Sequence, residues 1–149
     1  MAEANFKEGY NCSQAVFAAF SEEVGLPHQT ALQLASGFGG GIGRMREVCG
    51  AFSGAVMALG ALYGSDDPAH KTAVYAMVQE LAAKFKAETG SLICRELLGL
   101  DKPEGSPVAS PRTETYYKKR PCVEMVGLAA DLLEQYLAEH PVPRREANA

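Results

Sequence analysis

The sequence predicts an all-α fold, a single-domain bundle of five or six helices around one buried, Gly/Ala-rich central helix. Three observations carry this. No stretch alternates apolar and polar residues between turn signals, and β-branched residues are sparse, so strands have no pattern to form from. Apolar residues recur at helical steps, most clearly at Val74, Met77, Val78, Leu81 and Phe85. From Val48 to Gly64 no residue is charged, and a helix apolar on every side belongs in the interior.

In order, Ala2 to Glu8 is expected as a short lead-in helix ended by Gly9. Asn11 is placed to cap a helix from Cys12 to Val24, with Val16, Phe17, Phe20 and Val24 inward and Gly25 as its stop. Pro27 opens a shorter helix to about Ser36, since proline suits the first helical position. Five glycines then fall between positions 37 and 43. They match neither the dinucleotide nor the P-loop spacing, because Ile42 and Arg44 interrupt both patterns. Two readings remain: a tight connection using positive φ, or a backbone nest or adjustable loop beside Cys49.

The central helix follows from Cys49 to Gly64, with Gly50, Gly54 and Ala58 at i,i+4 steps leaving one face flat enough for close approach. That face suits a bound group or a second copy of the chain, so a homodimer is a candidate assembly. Ser65, Asp66 and Asp67 offer caps before Pro68, and the amphipathic helix runs to Thr89 with Gly90 ending it. Ser91 caps a short helix holding Cys94, Leu97 and Leu98. Residues 101–120 contain three prolines and no helical period, so they read as a long surface loop, of the kind that is often functional. Pro121 starts the last helix, with Cys122, Met125, Val126, Ala129, Leu132, Leu133 and Tyr136 inward, and 141–149 reads as a flexible tail.

The totals narrow the function. With 149 residues a single core can remove roughly 70% of the unfolded surface from water, so cross-links are not needed to fold. A net charge of −4 gives no basic excess for a phosphate backbone, which argues against a nucleic-acid partner. The amino terminus lacks the pattern of a signal peptide, and the 17-residue uncharged segment, with four glycines, is short and weakly apolar for a membrane span. A cytoplasmic protein is expected, where structural disulfides are rare and four cysteines point to thiol chemistry or metal.

The cysteines are separated by 37, 45 and 28 positions, so no C-x-x-C pair exists and no zinc finger or thioredoxin motif applies. They share a different property. Cys12, Cys49, Cys94 and Cys122 each fall at the start of a predicted helix, where N–H groups and the helix dipole stabilise a thiolate. Arg44, Arg46, Arg95 and the run Lys118-Lys119-Arg120 lie near three of the thiols in sequence and could add positive charge.

The pattern Gly9-Tyr10-Asn11-Cys12-Ser13-Gln14, the glycines from Gly39 to Gly43, Cys49-Gly50-Ala51-Phe52-Ser53-Gly54, Cys94-Arg95-Glu96-Leu97-Leu98-Gly99 and Cys122 resembles the bacterial and archaeal family of redox-active proteins named for four cysteines and a C-G-A-x-x-G motif. The resemblance covers about positions 6 to 135. It implies a small helical protein whose cysteines form one redox or metal-associated site.

Three readings of the four cysteines therefore stand. They are the catalytic groups of a thiol/disulfide oxidoreductase acting on a redox partner or a small thiol. They are the ligands of a zinc ion or an iron–sulfur cluster, since four thiolates complete a tetrahedral shell. Or they are core packing in a non-catalytic interaction protein. Gly50, Gly54 and Arg46 are the candidate cofactor contacts. His28, His70 and His140 read as surface caps, Glu47, Glu96 and Glu124 as solvated carboxylates, and Tyr116 and Tyr117 as groove-lining or loop-pinning groups.

Overall fold

The structure, a computed structural model, describes residues 1–100, 106–114, 116 and 121–141. Among these residues the fold is all-α, with eight α-helices and no strand. They are α1 (Ala2–Lys7), α2 (Cys12–Ala19), α3 (Ser21–Val24), α4 (His28–Ala35), α5 (Gly50–Tyr63), α6 (Lys71–Thr89), α7 (Cys94–Leu97) and α8 (Cys122–Glu139). Short 3₁₀ turns, Ser36–Phe38 and Pro68–His70, extend α4 and lead into α6.

The expected boundaries are mostly met, with three changes. The helix expected over Cys12–Val24 breaks at Phe20, whose ψ of 13° leaves the helical range, so α3 is a separate turn. Pro27 sits just outside α4 as its N-cap, with an extended ψ of 143°. The turn before α7 is organised by Ser91, whose Oγ accepts from the Ile93 amide at 3.0 Å and donates to Glu96 at 2.8 Å. Residues 101–105, Tyr117, the run Lys118-Lys119-Arg120 and the tail beyond Pro141 lie outside the described residues.

Helix α5 is the centre of the bundle, packed against α2, α6 and α8. Ala51, Ala55, Ala58 and Leu59 have no solvent exposure. Its burial is not complete, however. Ser53, Val56, Met57, Gly60 and Ala61 are half-buried, so an uncharged helix here keeps one partly open face. Small residues set how closely α5 meets α2. A Cβ on Gly54 would stand 2.7 Å from the Ser13 carbonyl oxygen and 3.1 Å from Val16 Cβ, so only glycine lets the two backbones pack this tightly. Asn5, buried on α1, donates to the Ala15 carbonyl at 3.2 Å and ties the amino terminus to α2.

The glycine run forms a connection built on left-handed backbone. Gly40, Gly41 and Gly43 take positive φ, and Ile42, Arg44 and Arg46 are held there with them at φ of 64°, 62° and 62°. A non-glycine residue in that region costs on the order of 1 kcal/mol or more, so the loop carries strain that its own hydrogen bonds must offset. The amides of residues 42–47 all donate to carbonyls within the segment 37–42. Those N–H groups point into the loop, as a tight connection requires.

Candidate functional site

Each of the four cysteines stands at a helix start. Cys12, Cys94 and Cys122 are the first residues of α2, α7 and α8, and Cys49 is the N-cap of α5. No disulfide joins any two of the four in this structure. All four line one small cavity of about 70 Å³ with mostly apolar walls.

Local features aim each thiol. Asn11 and Gln14 form a reciprocal capping box at 2.9 and 3.0 Å, which fixes the first turn of α2 and so Cys12. The Asn11 side chain also donates, through Nδ2, to the Ser36 carbonyl at 3.0 Å. Cys49 and Cys94 are set by a β-bridge that helical periodicity does not anticipate. Val48 pairs antiparallel with Ile93, the Cys49 amide donates to the Leu92 carbonyl at 2.7 Å, and the Cys94 amide donates to the Glu47 carbonyl at 2.6 Å. Because successive residues of extended chain alternate faces, Cys49 and Cys94 fall on the same face as diagonal neighbours, a spacing of roughly 7–8 Å.

Cys12 lies against the start of α5. A Cβ placed on Gly50 would collide with Cys12 Sγ, so the first residue of α5 must be glycine for that sulfur to occupy its position. The Cys49 thiol is pushed up from 9.0 to about 12, chiefly by burial and next by the charge of Cys12, with Cys94 adding a smaller push. The amides of Phe52 and Ala51 at the start of α5 pull the other way and do not win. The expectation that a helix start makes Cys49 a thiolate is thus overturned. Desolvation of the anion in an apolar cavity outweighs two N–H groups.

The expected charges divide. Arg46, only 4% exposed, reaches into the cavity with Nη1 3.7 Å from Cys94 Sγ. Arg44 is not on the thiol cavity and instead donates to the Ser106 carbonyl and Ser110 Oγ at 2.8 and 2.9 Å. Arg95 also lies off the cavity wall, in an ion pair with Glu47 at 3.2 Å. Gly50 lines the cavity, whereas Gly54 does not and serves helix packing. His140 stacks on Tyr136, His28 meets Tyr10 edge-on, Glu96 accepts from Ser91, and among the described residues no histidine or glutamate lines the cavity.

Helical periodicity gives no hint of Arg112. From the proline-rich segment it donates to the Phe6 and Tyr10 carbonyls, each at 2.9 Å. Its guanidinium lies 4.0 Å from the Phe6 ring centre and 5.1 Å from that of Tyr116, a cation between two aromatic faces. This lays the described part of the loop over the cavity and brings Tyr116 Oη to 4.0 Å from Cys122 Sγ. Tyr116 lines the cavity, and Tyr117 lies outside the described residues. A lone arginine among prolines, four residues before an aromatic pair, is the one trace of this in the sequence.

For zinc or an iron–sulfur cluster the fit is poor. Among the described residues no group of three or more His, Cys, Asp or Glu side chains is placed to hold a metal ion. Also among them, no helix is long and apolar enough to cross a membrane.

No curated protein and no solved structure matches this chain. A family model matches residues 10–136, which takes in all four cysteines and the capping box, and the chain belongs to that family, described as putative redox-active protein (C_GCAxxG_C_C).

Proposed function

We propose that the protein is a thiol/disulfide redox protein in which Cys12 and Cys49 form the reversible dithiol, with Cys94 and Cys122 lining the same cavity. The observation that carries this is the packing of Cys12 Sγ against Gly50, which sets it beside Cys49 at the adjoining starts of α2 and α5. Cys12 is half-buried and Cys49 is buried, so an external sulfur meets Cys12 first. In the oxidising half-reaction an incoming disulfide accepts two electrons and leaves as two thiols, while the Cys12 and Cys49 thiols lose two protons and join.

The test is thiol counting on protein purified without oxygen, before and after diamide, with metal analysis and peptide mapping. The expected outcome is loss of two thiols on oxidation, a Cys12–Cys49 linked peptide, and full recovery with reductant. Unchanged thiol counts, or near-stoichiometric zinc or iron released together with four new thiols, overturns the reading.

A further inference from the structure

The α5 face expected to receive a second copy of the chain is closed, because Cys12 Sγ lies against Gly50, α2 lies against Gly54, and Ala58 has no exposure. Gly60 is different. A Cβ on Gly60 would meet nothing within 4 Å, and its φ is not left-handed. Glycine weakens the middle of a helix relative to alanine, so neither backbone geometry nor internal packing accounts for it there. At 3.6 residues per turn, Ser53, Val56, Met57 and Gly60 fill the arc of α5 between Phe52, which meets Phe85 of α6, and Gly54, which meets α2. All four are half-buried. Helix α3, which follows α2 and also packs on α5, borders one side of this arc, and α6 borders the other. On α6, Leu81 and Phe85 point inward and Lys84 marks the α8 side, through Glu139 and the Tyr136 ring. Lys71, Tyr75, Val78, Ala82 and Lys86 form the stripe on the opposite side, next to the arc. Tyr75 is 61% exposed, and from Ala73 to Val78 every residue is apolar and none is buried. A helix apolar all round belongs under cover.

We propose that this α5/α6 face is the interface of a homodimer, with Gly60 at the contact. The charges at its two edges select a second copy as the cover. Lys71 and Lys86 stand exposed on the α6 edge and Glu22 and Glu23 on the α3 edge, and among the described residues none of the four has an ion-pair partner. A two-fold axis through the patch sets the α6 edge of each copy against the α3 edge of the other, so opposite charges meet twice. An anionic lipid surface would be repelled by the acidic edge. Gly60 lies eleven residues beyond Cys49, roughly 16 Å along α5, and no residue of the patch lines the thiol cavity, so the interface is separate from the cysteines.

Sedimentation velocity of the full-length chain in reductant, which removes disulfide-linked pairs, tests this from roughly 1 to 200 μM, where an interface at the small end of the specific class dissociates. A dimer is expected to grow with concentration and to weaken as salt is raised. Gly60→Arg sends a long charged side chain into open space, so helicity by circular dichroism should be kept while the dimer is lost. Lys71→Glu with Lys86→Glu should weaken dimerisation at least about tenfold, the scale of one charge-assisted contact, and adding Glu22→Lys with Glu23→Lys should restore it. A monomer at every concentration overturns the proposal. So does a dimer that Gly60→Arg and the paired lysine substitutions leave unchanged, since another face then holds it. Flotation of a monomer with phosphatidylglycerol vesicles, abolished by Gly60→Arg, also overturns it and gives the face to a lipid surface.

Discussion

Replacing Cys49 with alanine should make the protein less sensitive to alkali, and the size of the effect follows from the structure. The Cys49 thiol is pushed from 9.0 to about 12 in the folded chain, first by burial. The unfolded chain can release that proton near 9.0, while the folded chain holds it until about 12. The stabilisation is therefore fully present below the lower value and is lost as pH rises through the window between them. Each pH unit inside that window removes about 1.4 kcal/mol, so the whole span is worth roughly 4 kcal/mol, and the first unit and a half roughly 2 kcal/mol. Urea unfolding in reductant, followed by far-UV circular dichroism at steps from about pH 8 to pH 10.5, reads this directly. Tyr63 and Tyr136 are also raised, mainly by burial, but they are present in both proteins and cancel in the difference. Cys49→Ala should start less stable, through lost packing, and then fall more slowly, so that the two curves converge. Parallel curves would refute the claim that desolvation governs this thiol.

Three further substitutions probe what positions the site. Gly50→Ala puts a methyl group into Cys12 Sγ and within 2.9 Å of the Phe38 carbonyl oxygen, so a loss of about 1–3 kcal/mol in urea unfolding and slower diamide-driven loss of thiols are expected. Asn11→Ala removes both the capping box and the bond to Ser36, for about 1–2 kcal/mol in the same assay, with less effect if Gln14 alone holds the turn. Phe85→Ala empties a fully buried site against Phe52 at the base of α5 and should cost about 3–5 kcal/mol by thermal or urea unfolding while the Cys12–Cys49 linkage still forms on oxidation.

What the sequence determined by itself is whatever is local. Helical spacing, caps and glycine stops fixed the helix class and most ends, because a first turn is decided by the few residues that satisfy its own N–H groups, as at Asn11 and Asp67. For the same reason all four cysteines were legible as helix starts. Their meeting in one cavity depends on contacts far apart in the chain: the Val48–Ile93 bridge, the glycine contact between α5 and Cys12, and Arg112 reaching back to Phe6. None of these leaves a periodic trace, because each pairs single residues from remote segments. The protonation of Cys49 also belongs to the tertiary structure, since the helix start that favours a thiolate is set by a few adjacent residues, while the burial that defeats it is the work of the whole fold.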